Sequence, residues 1–380
     1  MTRRRSRSGR ATQRWAWPVL GFLGLKLTGL LINLARFPTL KPAPRPSAAP
    51  AEQPERAALL IPVRNEAERL PATLPGFLAT AAAGVDTVFL DDNSTDGTRQ
   101  LLEAAAQSTP RVTVLTGTAR PDGWSGKTWA CQQLAEHAVE NENADVLIFV
   151  DADVTLASGA VPAALAEQRR QRADVFSVFC RQTTGTWAER LLVPMVEDVL
   201  LCFLPFPLLA APVPAAATAN GAILALRRGA YDTLGGHAAV RTAMVEDIAL
   251  ARRTRKMGLR LGLALGGDLA QVRMYTGYRE IIAGFGRSLL PAFGGHRGWL
   301  VVGLLGQLGA YTVPLLLAPG SGLWRFAALL GMLERALVEA KTGRRDWVGA
   351  LAAGAAPVAA VPVVAQAMRR RQTWRGRVYS

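Results

Sequence analysis

The alternation of short apolar runs with helix-forming stretches between residues 57 and 150 restricts the fold more than any other feature of the chain. Four runs have the composition of buried β-strands: Ala57–Val63, Val85–Leu90, Arg111–Leu115 and Asp145–Val150. Helical patterns fill the gaps between them, at Glu66–Ala82, Gly97–Gln107 and Lys127–Val139. Repeated βαβ units predict an α/β domain around a mostly parallel sheet, with functional residues at the carboxyl ends of its strands.

Apolar segments lie on both sides of this domain. Half of the residues are hydrophobic and the mean hydropathy is +0.16, which is unlike a disordered chain. Trp15–Leu34 follows an arginine-rich start and is uncharged except for Lys26, whose long stem can snorkel toward water. Trp299–Pro319 is uncharged and, at about 1.5 Å per residue, long enough for a bilayer core of about 30 Å. We therefore predict membrane helices near both ends of the chain.

Three other apolar segments give weaker signals. Trp347–Ala367 is uncharged, but its two prolines and many alanines make it a poor span. Leu323–Ala340 contains two arginines and two glutamates, which predicts an amphipathic helix rather than a span. Val199–Ala217 is uncharged but interrupted by four prolines, which predicts a loop that faces lipid or an acceptor.

An acidic turn, Asp91-Asp-Asn-Ser-Thr-Asp-Gly-Thr98, directly follows the second predicted strand. A carboxylate at the end of a strand can accept hydrogen bonds from a pyrimidine N–H or from ribose hydroxyls. The alternative for this segment is a well-capped start of the next helix.

A second acidic motif, Asp151-Ala-Asp153, leaves the fourth predicted strand 60 residues after Asp91. Two carboxylates at this position can hold Mn²⁺ or Mg²⁺ while a diphosphate supplies further oxygen ligands. The ion would then neutralise charge on a departing nucleoside diphosphate. An Asp-x-Asp sequence is common by itself, but its position directly after a predicted strand of the α/β domain supports a metal-binding role.

A glycine-rich turn, Gly123-Trp-Ser-Gly-Lys127, opens the third predicted helix. A helix N-terminus offers backbone N–H groups to phosphate, and Lys127 adds a point charge. The spacing differs from that of a P-loop. The alternative is a purely structural turn.

The last motif, Val245-Glu-Asp247, begins an amphipathic stretch. Acidic residues at a helix N-terminus are stabilised by the helix dipole, which is the structural alternative. The functional interpretation makes Asp247 a general base that takes a proton from an acceptor hydroxyl.

Taken in order, these motifs resemble those of family 2 inverting glycosyltransferases with the GT-A fold. The resemblance covers about Ala57 to Pro291 and includes Ile61–Glu66, Asp91–Thr98, Gly123–Lys127, Asp151–Asp153 and Val245–Asp247. The segments Gly123–Ala130, Gly235–His237 and Arg273–Tyr275 are also similar to membrane-associated enzymes that glycosylate carotenoids, of the diaponeurosporenoate glucosyltransferase type. Hopanoid-cluster glycosyltransferases share much of this pattern.

The resemblance implies a role for each matched position. Asp247 would be the catalytic base, and Glu246 would orient it or the acceptor. Asp151 and Asp153 would hold a divalent cation, Mn²⁺ or Mg²⁺. The nucleotide sugar would be bound by Pro62, Arg64, Glu66, Asp91, Asp92, Gly126, Lys127 and Asp151.

One departure from the family bears on the product. Processive members carry a Gln-x-x-Arg-Trp motif, whereas this sequence has none in the comparable region from Tyr275 to Arg287. The resemblance therefore implies one or a few transfers onto a small acceptor. It leaves open whether Arg279 or Arg287 faces the diphosphate, and whether His237 contacts substrate or is structural.

The resemblance further implies a fold and an organisation. The fold would be α/β, a GT-A nucleotide-sugar-binding domain with a mostly parallel sheet at 57–297, plus N-terminal and C-terminal membrane helices at 1–40 and 298–368. A proline-rich linker would occupy 41–56 and a basic tail 369–380. The N-terminal segment also fits a signal peptide cleaved near Ala48–Ala51, but a cytosolic nucleotide donor favours a retained anchor or interfacial helix.

The function implied is that of a membrane-associated inverting glycosyltransferase. It would move a hexose such as glucose from a UDP-sugar to a small lipid acceptor such as a carotenoid, at the cell membrane with the catalytic domain facing the cytoplasm. A hopanoid-type or polyprenyl-phosphate glycosyltransferase is the alternative enzyme, and an anionic-lipid-binding membrane protein is the non-enzymatic one. The charge rule for membrane topology does not settle the number or orientation of spans.

The net charge of +15 does not indicate a nucleic-acid partner. Arginines are concentrated at both termini beside the apolar segments, a placement that favours lipid headgroups. The three cysteines are widely spaced and predict neither a disulfide framework nor a zinc site.

Overall fold

The computed structural model describes residues 2–42, 55–243, 245–369, 372–374 and 377–379. Most of the predicted linker, the possible cleavage site near Ala48–Ala51 and part of the basic tail lie outside these residues. The chain forms two compact units. Unit 1 comprises Met1–Arg36, Gln182–Phe206 and Met274–Ser380, and unit 2 comprises Phe37–Arg181 and Pro207–Arg273.

Twelve strands are found in the described residues. In chain order they are β1 Ala57–Val63, β2 Asp86–Asp91, β3 Val112–Thr116, β4 Val146–Val150, β5 Val154–Leu156, β6 Val175–Phe179, β7 Arg181–Gln182, β8 Ile223–Arg227, β9 Leu261–Leu265, β10 Ala270–Val272, β11 Gln372–Trp374 and β12 Arg377–Tyr379.

Sixteen α-helices are found in the same residues. They are α1 Thr2–Arg36, α2 Leu70–Ala82, α3 Thr98–Ser108, α4 Gly126–Glu140, α5 Ala160–Arg170, α6 Trp187–Leu192, α7 Pro194–Phe203, α8 Phe206–Ala210, α9 Arg228–Leu234, α10 Glu246–Lys256, α11 Tyr278–Ala292, α12 Arg297–Gln307, α13 Val313–Leu317, α14 Gly322–Thr342, α15 Trp347–Leu351 and α16 Ala356–Ala367. A π-helical turn, Leu308–Thr312, joins α12 to α13.

Unit 2 is built on a seven-stranded sheet in the order β3–β2–β1–β4–β8–β6–β9. Its neighbouring strands are parallel except at β8, which runs antiparallel to β4 and β6. The central strands are apolar along their whole length because helices cover both faces, and all five residues of β4 are buried. The predicted α/β class and mostly parallel sheet are confirmed.

The sequence located the first elements of unit 2 closely. The bounds of β1 are those predicted, and β2 to β4 differ by one residue at one or both ends. The largest difference is at α2, which begins at Leu70 instead of Glu66. Pro71 occupies the first turn of that helix, where a missing N–H costs nothing, so the helix begins next to it.

The prediction of a loop over Val199–Ala217 was wrong for much of its length. Helix α7 continues to Phe203, and residues 206–210 form α8. Residues 199–203 precede the first proline of the segment, and Pro205 falls between the two helices. Pro207 lies in the first turn of α8, where proline is tolerated.

Unit 1 contains two helical stretches long and apolar enough to cross a membrane, Gln13–Arg36 and Arg297–Gly320. The segment Trp347–Ala367 is divided among α15, a 3₁₀ turn and α16, and Ala353–Ala367 is too short to be a span. The domain bounds given above remain predictions.

Leu323–Ala340 lies within helix α14, which is amphipathic as predicted, but much of its polar face is buried. Three of its charged residues, Glu334, Arg335 and Glu339, are buried at 0, 5 and 1% exposure, whereas Phe326 and Leu329 are 56 and 64% exposed. Arg325, near the start of the helix, is exposed. The buried charges are paired inside unit 1, as in the 3.3 Å contact between Arg335 Nε and Glu339 Oε1. The helix therefore has its polar face inward, the reverse of a helix on the surface of a water-soluble protein.

Lys26 of α1 does not snorkel, and that prediction was wrong as well. Its side chain is fully buried, with Nζ 2.8 Å from Asp198 Oδ2 and 3.4 Å from Glu334 Oε2. It also donates a hydrogen bond to the Tyr311 hydroxyl. The carboxylates of Asp198 on α7 and Glu334 on α14 stabilise the ammonium inside unit 1, because a buried charge needs a partner.

Candidate functional site

The acidic turn after β2 lies beside the end of β1. Val63 and Asp91 are partners in the parallel pairing, so the residues that follow them emerge side by side. Arg64 Nη1 donates to the Asp92 backbone oxygen at 2.8 Å and lies 3.1 Å from Asp92 Oδ2. Asp91 is buried, and its Oδ1 accepts a hydrogen bond from the Ser94 N–H at 3.1 Å.

Two other predicted positions lie along the same strand and its exit. Pro62 pairs with Leu90 within the β1–β2 ladder. Glu66 is buried, its N–H donates to Thr98 Oγ1 at 2.9 Å, and its carboxylate lies 3.6 Å from Arg69 Nη1. These contacts fix the Glu66 carboxylate at the start of α2.

Strand β8 joins the Asp151 motif to the acidic pair at the start of α10. Because β8 is antiparallel to β4, the residues before β8 lie beside the residues after β4. The Asp151 N–H donates to the Ala222 carbonyl at 3.1 Å. The N–H of the preceding residue, Gly221, donates to Asp247 Oδ2 at 2.6 Å. The two motifs, 96 residues apart between Asp151 and Asp247, therefore meet at one end of the sheet.

Lys127 connects three of the four motifs. Its Nζ lies 2.7 Å from Asp151 Oδ1 and 2.8 Å from Glu246 Oε1. Lys127 is in the first turn of α4, which Gly126 begins and Ser125 caps by accepting the Thr128 N–H at 3.1 Å. The glycine-rich turn thus aims one ammonium at two carboxylates from different parts of the chain.

The two acidic residues at the start of α10, Glu246 and Asp247, have pKa values shifted in opposite directions. Although desolvation acts in the opposite direction, the Lys127 ammonium lowers the pKa of Glu246 below its ordinary value. Desolvation and the negative Glu246 side chain raise the pKa of Asp247 to about 7. Glu246 is therefore a permanent anion, and Asp247 exchanges a proton near neutral pH, as a general base must.

His237 has a structural position. It is 2% exposed, its ring packs edge-on against Phe149 with centroids 4.6 Å apart, and its Nδ1 lies 3.0 Å from the Tyr231 hydroxyl. Burial lowers its pKa to about 4, so the ring is neutral at physiological pH. Of the two interpretations left open by the sequence, these contacts favour the structural one.

The structure adds one residue that the sequence analysis missed. Gly221 holds the Asp247 carboxylate through its backbone, and a Cβ built on it would lie 3.2 Å from Asp247 Oδ2 and 3.3 Å from Lys127 Nζ. A glycine directly before the apolar run of β8 was the available signal. The two arginines proposed for the diphosphate, Arg279 and Arg287, both lie on α11 in unit 1, and their roles stay predictions.

The residues proposed to bind a divalent cation have suitable chemistry. Carboxylate oxygens are the ligands that Mn²⁺ and Mg²⁺ prefer, and one or two of them suffice when a phosphate supplies others. Burial, and next the Asp151 carboxylate, raise the pKa of Asp153 to about 7, and a bound cation would oppose both effects. The 2.7 Å contact of Asp151 Oδ1 with the Lys127 ammonium places a positive charge on this carboxylate. Asp151 and Asp153 therefore fit the ion.

Among the described residues, a group of three closely spaced metal-ligand side chains lies elsewhere, in unit 1. Its members are Asp198, Cys202 and Glu334, whose ligand atoms lie within 4.8 Å of one another. Lys26 Nζ is bonded to this group and already supplies a positive charge there. The group is therefore a buried ion-pair cluster.

Comparison with known proteins identifies the class of domain that is built on this sheet. Residues 58–223, somewhat less than half of the chain, match the model of glycosyl transferase family 2. The match and the mostly parallel sheet confirm the predicted GT-A fold. The acidic pair Glu246 and Asp247 lies beyond the matched residues.

A curated relative is similar over part of its length. The 4,4'-diaponeurosporenoate glycosyltransferase of Staphylococcus haemolyticus is 25% identical over 241 residues, which cover 63% of this chain and 62% of the relative. The predicted resemblance to enzymes of this type is confirmed at that level of identity. The match thus spans less than two thirds of the relative.

Solved structures of glycosyltransferases are also similar. A mannosyltransferase from Pyrobaculum calidifontis, in complex with GDP-Man and Mn²⁺, is 15% identical with a TM-score of 0.49, covering 93% of this chain and 99% of that chain. Glucosyl-3-phosphoglycerate synthase from Mycobacterium tuberculosis, with Mn²⁺, UDP and its product, is 17% identical with a TM-score of 0.40, covering 65% and 83%.

Proposed function

We propose that this protein is a membrane-associated inverting glycosyltransferase that moves a hexose, glucose in the simplest case, from a UDP-sugar to a small lipid acceptor such as a carotenoid. The observation that carries the proposal is the bridge of Lys127 between Asp151 and Glu246, with Asp247 adjacent. It unites a cation-binding carboxylate, a phosphate-binding lysine and a base in one site.

The donor is bound at the ends of β1, β2 and β4. Asp91 and Asp92 face the uracil and ribose, and Arg64 holds Asp92 in place through its two contacts. Pro62 and Glu66 complete this side, while Gly126 and Lys127 meet the diphosphate at the N-terminus of α4. Asp151 and Asp153 would hold Mn²⁺ or Mg²⁺, which would supply charge neutralisation for the departing diphosphate.

Asp247 removes the acceptor proton. The hydroxyl oxygen attacks the anomeric carbon from the face opposite the nucleotide, the bond to the diphosphate breaks, and the configuration inverts in a single displacement. Gly221 fixes Asp247 Oδ2, and the Ile248 N–H donates to its Oδ1 at 2.7 Å, so the carboxylate has one orientation. A carboxylic acid acceptor is already ionised near neutral pH and requires little help from the base.

The surface of unit 1 supports a lipid environment. On helix α14, Glu334, Arg335 and Glu339 are buried, whereas the large apolar side chains Phe326, Leu329 and Leu333 are at least half exposed. This arrangement is expected where the surroundings are hydrocarbon. Large apolar side chains are at least half exposed on several helices: Trp15, Trp17, Leu25, Trp299, Leu305, Leu316, Phe326, Leu329 and Trp347. Because patches of this kind mark membrane or partner contacts, we place unit 1 in the cell membrane and assign the cytoplasmic face to the catalytic domain.

The test is sugar transfer by membranes from a host that expresses the protein. UDP-glucose with Mn²⁺ or Mg²⁺ is supplied with carotenoid, hopanoid or polyprenyl-phosphate acceptors in separate reactions, and new lipids are identified by mass. We expect one hexose added to the carotenoid. Transfer to a hopanoid or polyprenyl phosphate instead would retain the enzyme class and correct the acceptor.

The control variants separate the site from the rest of the protein. Asp151→Asn and Asp247→Asn should each abolish most transfer to a hydroxyl acceptor. Asp268→Asn is the matched control. It makes the same chemical change at a side chain that is 88% exposed and lies away from these contacts. Equal loss in all three variants, or in none, would contradict the assignment.

A further inference from the structure

The Lys127 ammonium is bound to Asp151, one of the two carboxylates proposed to bind the divalent cation. Its Nζ lies 2.7 Å from Asp151 Oδ1, at the distance of a direct charge-assisted hydrogen bond. A divalent ion on either oxygen of the same carboxylate would lie within a few ångströms of the ammonium, and the two positive charges would repel each other. The two cations therefore compete for Asp151.

We propose that Lys127 is a placeholder cation, which neutralises Asp151 while no donor is bound and moves to the diphosphate when the metal–nucleotide complex arrives. The inference rests on the proposed function and concerns the order of events at the same site. It assigns Lys127 a second role besides phosphate contact, that of keeping the cation site closed to free metal.

The surroundings of Lys127 allow this movement. A lysine is a single point charge on a flexible four-carbon stem, and this side chain is 38% exposed. Glu246 is a second anchor at 2.8 Å, so the ammonium can leave Asp151 without losing every partner. Gly221 has no side chain at the place where a Cβ would lie 3.3 Å from Nζ, which keeps the space around the ammonium open.

The charges explain why a placeholder is needed. Asp151, Glu246 and Asp247 are brought together in space, and the Lys127 ammonium contacts Asp151 and Glu246. Without Lys127 the cluster would attract any divalent ion before the nucleotide was present. With it, tight metal binding requires the diphosphate, which draws the ammonium away and supplies its own oxygens.

The experiment measures Mn²⁺ binding rather than activity. The full-length protein in detergent is titrated with Mn²⁺, and the free ion is counted from its electron paramagnetic resonance signal, with and without UDP. In the absence of UDP, Lys127→Met should bind Mn²⁺ about five-fold more tightly than the wild type, the factor lost when a partly exposed ion pair competes. UDP affinity in the presence of Mn²⁺ should fall in the same variant.

Two further variants isolate the cause. Lys256→Met removes the same charge from an exposed position at the end of α10 and should leave Mn²⁺ affinity unchanged. Lys127→Arg retains the charge and should bind Mn²⁺ no more tightly than the wild type. Circular dichroism establishes that each variant is folded.

Each result decides the proposal. Unchanged or weaker nucleotide-free Mn²⁺ binding by Lys127→Met would overturn it, as would equal tightening by Lys127→Arg or Lys256→Met. A failure of the proposed function is distinct and is seen in the wild type. It would appear as no Mn²⁺ bound even with UDP, or as Asp151→Asn binding Mn²⁺ like the wild type.

Discussion

The Gly221 N–H donates a 2.6 Å hydrogen bond to Asp247 Oδ2 and thereby fixes the proposed base against the strand that borders Asp151. Strand β8 makes this contact possible, because its antiparallel direction returns the chain to the carboxyl end of β4. The position of the base thus depends on the one strand that departs from the parallel pattern of the sheet.

The pKa of Asp247 predicts the pH dependence of transfer. Desolvation and Glu246 raise it to about 7, and a base acts only when deprotonated. Transfer to a hydroxyl acceptor should therefore rise with pH, with unit slope in log kcat/KM below about pH 7 and a plateau above it. A profile flat from pH 5 to 8 would contradict the assignment of Asp247 as base.

Replacing Glu246 tests the cause of that raised pKa. Glu246→Gln removes the neighbouring negative charge, so the pKa of Asp247 should fall and the acidic limb should move to lower pH. The measurement is the same pH profile, with Asp268→Asn as an exposed control. An acidic limb that stays in place would show that desolvation alone sets the pKa.

Gly221→Ala should reduce kcat by about ten-fold or more with a smaller effect on KM, since small misplacements of catalytic groups are costly. The new Cβ would crowd Asp247 Oδ2 at 3.2 Å and Lys127 Nζ at 3.3 Å. Gly229→Ala is the matched control, because a Cβ there meets nothing within 4 Å. Steady-state kinetics with saturating donor separate the two constants, and similar values for both variants would oppose the positioning role.

Lys26→Met should destabilise unit 1 by about 3–5 kcal/mol, because it leaves Asp198 and Glu334 buried without their cation. The loss is measured as a lowered midpoint of thermal inactivation in detergent. The triple variant that adds Asp198→Asn and Glu334→Gln should recover much of it, since no unpaired charge then remains. Lys256→Met, at an exposed position, should have no effect.

Stability should also fall in acid because of His237. Burial lowers its folded pKa to about 4 from an ordinary value of 6.5, so the unfolded chain takes up the proton first. The neutral ring's contribution is present above pH 6.5 and is lost as pH falls from 6.5 to 4, by about 3 kcal/mol over the full window. Denaturant unfolding at several pH values should show a flatter dependence for His237→Gln, and an equal slope would refute this role.

The α/β class, the strands from β1 to β4 and the helices between them could be predicted from the sequence. These elements follow from local patterns: continuous apolar runs, a helical period and acidic or glycine-rich turns at strand ends. The positions of Asp91, Asp151 and Lys127 were predictable for the same reason, because each follows directly from the end or the beginning of a recognisable element.

Which of these groups meet, and which charges are buried, depends on how the whole chain packs. The contact of Lys127 with both Asp151 and Glu246 depends on strand order and on the direction of β8, which no local pattern encodes. The prediction for Lys26 was wrong because a charge on an apolar helix is expected to reach water when its partners are not known. Those partners, Asp198 and Glu334 for Lys26, lie 172 and 308 positions away and are brought together only by packing.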